Sequence, residues 1–255
     1  MTKNAMLEKF ASGETALGAW MMMRDPLVAM MAANLDYDYL CIDMQHGLHD
    51  YGDVLAGLQA SVRSSVTPIA RTPANEPGVV GRLLDAGALG IIFPMINTRD
   101  QAEQAVASCR FAPTGSRSMG PVGAMTLHGT DYFGKSNDEV AVIPMIETAE
   151  AVGNLDEILA VPGVAAAYVG PSDLSLTLGL PPGLDSDDPA FTGAIDAVLT
   201  GCSKHGVVAG MHCSPELAAK RHEQGFRMLS VGHDFGPIMA ALRNDLKSSR
   251  ADTGG

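Results

Sequence analysis

The sequence predicts a (β/α)8 TIM barrel, an α/β fold in which eight parallel strands close on themselves. Three observations predict it. The chain has 255 residues, 46% of them hydrophobic, which is the length and apolar content of one such barrel. Short apolar runs alternate with longer stretches of helical period, and there are eight such runs. The gaps between runs carry helix start and stop signals, so strand and helix alternate as a parallel sheet requires. The expectation is a single barrel domain over residues 1–255.

The strand-like runs are Ala16 to Met22, Tyr37 to Asp43, Pro68 to Arg71, Leu89 to Pro94, Val140 to Ile146, Ala165 to Gly170, Val207 to Met211 and Met228 to Val231. Helix starts are expected at Asp25-Pro26, Asn75-Glu76-Pro77, Thr98, Thr148 and Ser214-Pro215-Glu216. Each pairs a capping side chain or an early proline with an apolar-periodic stretch. Stops are expected at Gly87, Pro162-Gly163 and Gly225, where glycine releases the chain from the helix. Only one connection reads as long, residues 112–138, rich in Gly, Ser and Met. A loop of that length in a compact domain is a lid, an interface arm, a binding loop or a mobile excursion.

Charge narrows the partners. With 17 Lys+Arg against 29 Asp+Glu the formal charge is -12, which repels a phosphate backbone and argues against nucleic acid. The N-terminal MTKNAMLEKF lacks the long apolar core of a secretion signal, and the apolar stretch near Met21 to Met23 is cut by Arg24-Asp25-Pro26. Cys41, Cys109, Cys202 and Cys213 form no CxxC pair, which suits reduced thiols and a cytoplasmic protein. The 15 methionines sit mostly in apolar runs and read as core filling.

In a barrel of this kind the chemistry collects where strands end, so the polar residues just after each run are the candidates. They are Asp43 and His46, Arg71, Glu147, Ser172 and Asp173, His212, and His233 and Asp234. Glu147 and Asp173, on neighbouring strand ends, suit one hard cation, Mg2+ or Mn2+, with water and substrate oxygens completing its shell; the alternative is that each caps the helix after it. Arg71 suits a carboxylate or an enolate oxygen, or else a structural ion pair across the mouth. His46 would reach over the mouth as an acid/base of near-neutral pKa, or stand there as a structural histidine. None of the lysines (Lys3, Lys9, Lys135, Lys204, Lys220, Lys247) lies at a strand end, which disfavours a Schiff base. Gly170-Pro171-Ser172-Asp173 begins a helix whose amides suit a substrate carboxylate, although a tight turn needs the same residues.

Taken in order, IDMQH, PIARTP, LLDAGALGIIFPM, IPMIETAEAV, VGPSDLSLTLG and SVGHD resemble the successive strand ends of the HpcH/HpaI aldolases, from about Gly18 to Asp234. The resemblance implies a class II, divalent-metal-dependent aldolase using Mg2+ or Mn2+, with Co2+ also compatible. Such an enzyme reversibly cleaves a 4-hydroxy-2-oxo acid to an aldehyde and pyruvate, or a close 2-oxo acid such as hydroxypyruvate, through an enolate. It also implies roles: Glu147 and Asp173 as metal ligands, His46 as acid/base, Arg71 as stabiliser of the enolate or alkoxide oxygen, the Ser172 and Asp173 backbone as carboxylate holder, and Asp85 as the group that orients His46. Asp85 should end the helix after the third strand, on the face opposite His46, about 18 Å away for a helix of about twelve residues. The family role therefore requires a neighbouring subunit, and the resemblance suggests a homohexamer. Three positions depart from the commoner pattern, Met44, Gln45 and Met145, and the loop around Arg117 departs from it too, so Arg117 is left out of the site. The other readings are a related metal-dependent lyase acting on a coenzyme A thioester, and a non-catalytic anion-binding barrel.

Overall fold

A computed structural model describes residues 3–62 and 64–253. The eight expected runs are strands: β1 (Ala16–Met21), β2 (Tyr39–Asp43), β3 (Thr67–Arg71), β4 (Gly90–Phe93), β5 (Ala141–Ile146), β6 (Ala166–Val169), β7 (Val208–His212) and β8 (Met228–His233). They pair in parallel in sequence order and close β8 onto β1. β2 to β6 are buried at every position, because helices cover one face and the lumen the other, which is why these runs are continuously apolar rather than alternating.

Side chains alternate between two apolar clusters. Lumen positions Trp20, Tyr39, Cys41, Ile69, Ile143, Met145, Ala166 and Tyr168 pack together. The intervening residues, such as Leu40, Ile42, Val142, Ile146 and Val169, pack outward against the helices. This two-residue period is the ordinary geometry of a strand.

Three of the five expected starts form side-chain caps. Asp25 accepts from Leu27 N, Thr98 makes a capping box with Gln101, and Thr148 accepts from Ala151 N. Glu76 and Ser214 make no side-chain cap bond, and there Pro77 and Pro215 preset the first turn instead. Gly87, Gly163 and Gly225 all take positive φ just after their helices.

Two connections differ from expectation. Residues 112–138 are not an open loop, since the helices Val122–His128 and Tyr132–Glu139 lie within or at the edge of them. Ala124 and Tyr132 bury their side chains against Leu89 and Phe111, a satellite core that depends on the tertiary fold and leaves little local periodicity. A second long connection occupies residues 178–188, between the helices Pro171–Thr177 and Pro189–His205. Among the described residues no helix is long and apolar enough to cross a membrane.

The helix Ala5–Ser12, which is not among the expected helices although Asn4 and Gly13 cap it, closes the N-terminal end of the barrel. Met6 is fully buried in the lumen cluster, and its N–H donates to the Thr67 hydroxyl at 3.1 Å. Asn4 is likewise buried and holds the helix in place: its amide donates to the Leu89 and Glu139 carbonyls, each at 2.8 Å, and its oxygen accepts from Leu7 N. Replacing Asn4 by Ala removes a partner from the Glu139 carbonyl and from Leu7 N, and one of the two that the Leu89 carbonyl has, so Asn4→Ala should cost about 1–3 kcal/mol in urea unfolding while leaving chemistry at the opposite mouth unchanged. A variant of native stability would show that this plug is dispensable.

Candidate functional site

The lumen period continues past the strands and decides which polar residues meet. Tyr39 and Cys41 point inward, so Asp43 does too; Ile69 leads to Arg71, and Ile143 and Met145 to Glu147. These side chains arrive at the C-terminal mouth of the barrel. A cavity of about 320 Å³ lies there, lined by Trp20, Met22, Asp43, His46, Arg71, Met145, Tyr168, Gly170, Ser172, Asp173, Leu184 and His212 among others. No lysine lines it.

Arg71 is held in the mouth by Asp43: Nε donates to Oδ1 at 2.8 Å and Nη2 to Oδ2 at 2.5 Å. Both groups are buried. Burial alone raises the Asp43 carboxyl, but the hydrogen bonds and charge of Arg71 outweigh it and hold the group below the usual carboxylate range. The structural ion pair is thus real, and it leaves Nη1 of Arg71 outside the fork. Asp43 Oδ1 also accepts from Gln45 N at 2.9 Å and His46 N at 3.4 Å. The same carboxylate therefore fixes the turn that carries His46 into the cavity lining.

Glu147 is 1% exposed. Its Oε1 accepts from Met95 N at 2.7 Å, and Oε2 has no hydrogen-bond partner among the described residues. Burial pushes its pKa up, the Met95 N–H partly offsets this, and the nearby Asp173 carboxylate adds to the rise. Gly170 makes room for it: a Cβ at that position would stand 2.5 Å from Glu147 Oε2. Asp173 and Ser172 sit in the first turn of the helix Pro171–Thr177 and face the cavity. Among the described residues no cluster of three or more His, Cys, Asp or Glu gathers for a metal. The two carboxylates fit a hard dication with few protein ligands, since Glu147 Oε2 is not taken up by any hydrogen bond among the described residues and the Asp173 carboxylate lies close enough to disfavour a second negative charge beside it.

The remaining strand-end candidates divide. Asp234 accepts from Met22 N and Met23 N at 2.9 to 3.1 Å, tying β8 to β1, and His233 Nδ1 accepts from Gly236 N at 3.2 Å. Both are structural. His212 ends β7 inside the cavity, edge-on to Trp20 with ring centroids 5.3 Å apart. Burial, assisted by Arg71 and His233, pushes its pKa down to about 4, so the imidazole is neutral near pH 7. Trp20 and Tyr168, not singled out by the sequence, stack at 5.6 Å, and the Ser230 hydroxyl bridges Tyr39 and Tyr168 beneath them. Inward parity on β1 and β6 is the sequence signal that would have found both.

Asp85 is elsewhere. It ends the helix Pro77–Asp85, just before the chain enters β4, and Oδ1 accepts from Arg117 Nη2 at 2.7 Å. Arg117 lies 4.4 Å above the Phe111 ring and donates to the Tyr132 hydroxyl. Within one chain the structure brings His46, Arg71, Ser172 and Asp173 onto one cavity with Glu147 at its edge, and leaves Asp85 out.

The sequence profile described as HpcH/HpaI aldolase/citrate lyase matches residues 16–241. This chain belongs to the HpcH/HpaI aldolase/citrate lyase family. Among family members, a hydroxypyruvate/pyruvate aldolase of Rhizorhabdus wittichii is 37% identical over 94% of this chain and 96% of its own. A 5-keto-4-deoxy-D-glucarate aldolase of Escherichia coli is 32% identical over 94% of each chain. The crystal structure of an HpcH/HpaI aldolase/citrate lyase family protein from Burkholderia cenocepacia superimposes with a TM-score of 0.89 at 33% identity, covering 97% of this chain and 99% of that one. The carbon–carbon lyase class expected from the motifs is the class these relatives are named for.

His212 gives this barrel a specific pH signature. An unfolded histidine titrates near pH 6.5, and the folded group near 4, so between these values the unfolded chain binds the extra proton. Stability from neutral His212 is complete above about pH 6.5 and is lost as pH falls toward 4. Chemical denaturation across this window should show a smaller acid-side decline for His212→Gln than for the wild type. Parallel curves would mean that His212 is readily protonated in the folded state.

Proposed function

We propose that the chain is a divalent-metal-dependent aldolase that reversibly cleaves 4-hydroxy-2-oxo acids to an aldehyde and pyruvate, or a close 2-oxo acid such as hydroxypyruvate. The observation that carries this reading is the convergence at one small mouth of a base, a fixed guanidinium and two acids, His46, Arg71, Glu147 and Asp173, in a chain whose relatives are named aldolases. A cavity of about 320 Å³ suits a small acid and aldehyde better than a coenzyme A thioester.

Glu147 and Asp173 would hold Mg2+ or Mn2+, with Co2+ also compatible; the ion supplies Lewis-acid stabilisation of negative charge on the 2-oxo oxygen. The first-turn amides at Ser172 and Asp173 receive the substrate carboxylate. His46 removes the proton of the 4-hydroxyl as the C3–C4 bond breaks, releasing the aldehyde, and the electron pair passes into the 2-oxo acid as its enolate. Arg71, held in position by Asp43, faces the growing charge. Proton return to C3 completes the 2-oxo acid. With no lysine in the lining, a Schiff base has no nucleophile. The four cysteines are free and buried, which supports a reducing, cytoplasmic setting.

His46→Ala should lower retro-aldol turnover by about 10²- to 10⁴-fold and slow deuterium exchange into the pyruvate methyl in parallel, while Glu147→Gln should weaken Mn2+ binding. Full turnover by exhaustively chelated protein would remove the metal mechanism. Normal exchange by His46→Ala would remove His46 as the base.

The shared-site reading extends to assembly. Asp85 is a third exposed at a face remote from His46, and the helix Phe235–Thr253 exposes Phe235, Ile238, Leu242 and Leu246, a stripe at helical spacing. Both features support a homo-oligomer, a hexamer by family resemblance, in which Asp85 of one copy orients His46 of another. His46→Ala and Asp85→Ala chains, unfolded and refolded together, should regain activity at interfaces that combine the intact partners. Mixed oligomers without recovery would leave His46, Arg71, Glu147 and Asp173 acting within one chain.

A further inference from the structure

Residues 178–188, LGLPPGLDSDD, cross the mouth between the helices Pro171–Thr177 and Pro189–His205 without regular structure. Leu184, at the middle, reaches back and lines the cavity. The segment is fastened at both ends. Leu180 N donates to the Ser175 carbonyl at 2.8 Å, and Asp188 N donates to the Ser186 hydroxyl while the Asp188 carboxylate caps the next helix at Ala190 N. Pro181 and Pro182 fix φ between these anchors.

The centre is held from the next βα unit. Arg221, in the helix Ala218–Gln224 that follows β7, donates through Nη2 to the Leu184 carbonyl at 3.0 Å and to Asp185 Oδ1 at 2.7 Å. Lys220 holds the other Asp185 oxygen. Arg221 is only 1% exposed; its Nη1 bonds Gln224 Oε1 at 2.9 Å, and its buried Nε has no partner. Burying a guanidinium with one donor unpaired is costly, and what that cost secures is the position of two successive residues in the segment that walls the cavity.

The sectors of the mouth say which ligand that wall meets. A 2-oxo acid held by Arg71, Glu147, Ser172 and Asp173 occupies the side of β3, β5 and β6. Trp20 near the end of β1, Met22 just after it, His212 at the end of β7 and Leu184 from the crossing segment line the other side, from which the second carbonyl compound must approach. This wall is apolar apart from the neutral imidazole.

We propose that Arg221 is a positioning residue for aldehyde selection: by clamping Leu184 and Asp185 it sets how large a substituent the second substrate can carry next to the reacting carbonyl. The proposal rests on the aldolase reading above. It separates two steps, because enolisation of the 2-oxo acid needs His46 and the acid pair but not the wall.

The test measures pyruvate methyl exchange in deuterium oxide and, separately, kcat/KM for addition of pyruvate to propanal and to the bulkier 2-methylpropanal. Leu184→Ala should raise the ratio of bulky to small aldehyde by about tenfold, the discrimination expected of roughly one apolar group in a pocket. Arg221→Met and Asp185→Asn should move the ratio the same way by about threefold, with exchange unchanged. Adding Arg221→Met to Leu184→Ala should change the ratio no further, since both act through one wall. An unchanged ratio in Arg221→Met and Asp185→Asn, full additivity with Leu184→Ala, or exchange that falls in step with addition would overturn the assignment. If Arg221→Met does not fold, the surface variant Asp185→Asn decides alone. A wild-type protein that exchanges no pyruvate protons overturns the aldolase reading, and this assignment with it.

Discussion

The mouth of this barrel is organised by one carboxylate. Asp43 holds both Nε and Nη2 of Arg71 and takes backbone amides from Gln45 and His46, so an imidazole after one strand end and a cation on the next share a single reference point. Strand pairing alone would place Asp43 beside Arg71, since the two are register partners in β2 and β3; the bidentate geometry then removes the rotamer freedom of a long side chain. An anion entering the mouth would therefore meet an arginine that is already ordered. The entropy of fixing it is spent during folding rather than on binding.

Local charge gives a second constraint. Asp43 and Arg71 cancel, leaving Glu147 and Asp173 as net negative charge in the inner mouth of a chain that is itself at -12. A 2-oxo acid is an anion and would be repelled by that pair. One dication held by this pair would bring the local sum to zero and make room for the anion, which supports the proposed cofactor independently of family membership. The burial that raises Glu147 is the cost of keeping the acid pair in the lumen, and Gly170 permits it by leaving space beside Oε2.

The strands, most caps and the gathering of strand-end polar residues at one mouth were legible because each rests on local pattern. Apolar runs bounded by Gly and Pro locate β1 to β8, and parity within them points Asp43, Arg71 and Glu147 inward. What stayed hidden depends on contacts distant in sequence. The helices in residues 112–138 are held by a satellite cluster with Leu89 and Phe111, and the role of Leu184 depends on Arg221, 37 residues further along. Asp85 illustrates a third case. Its partner within the chain is Arg117, whereas the orienting role that the resemblance implies would require a second copy of the chain, whose geometry no single-chain pattern encodes.

Trp20 is the only tryptophan in the sequence, and it sits in the cavity lining, stacked on Tyr168, edge-on to His212 and 5.0 Å from the Arg71 guanidinium. Indole emission is sensitive to neighbouring charge, ring contacts and water. The protein thus carries one native chromophore, placed where ligands arrive, and its ultraviolet fluorescence is a label-free optical gauge of cavity occupancy, undiluted by signal from any other indole.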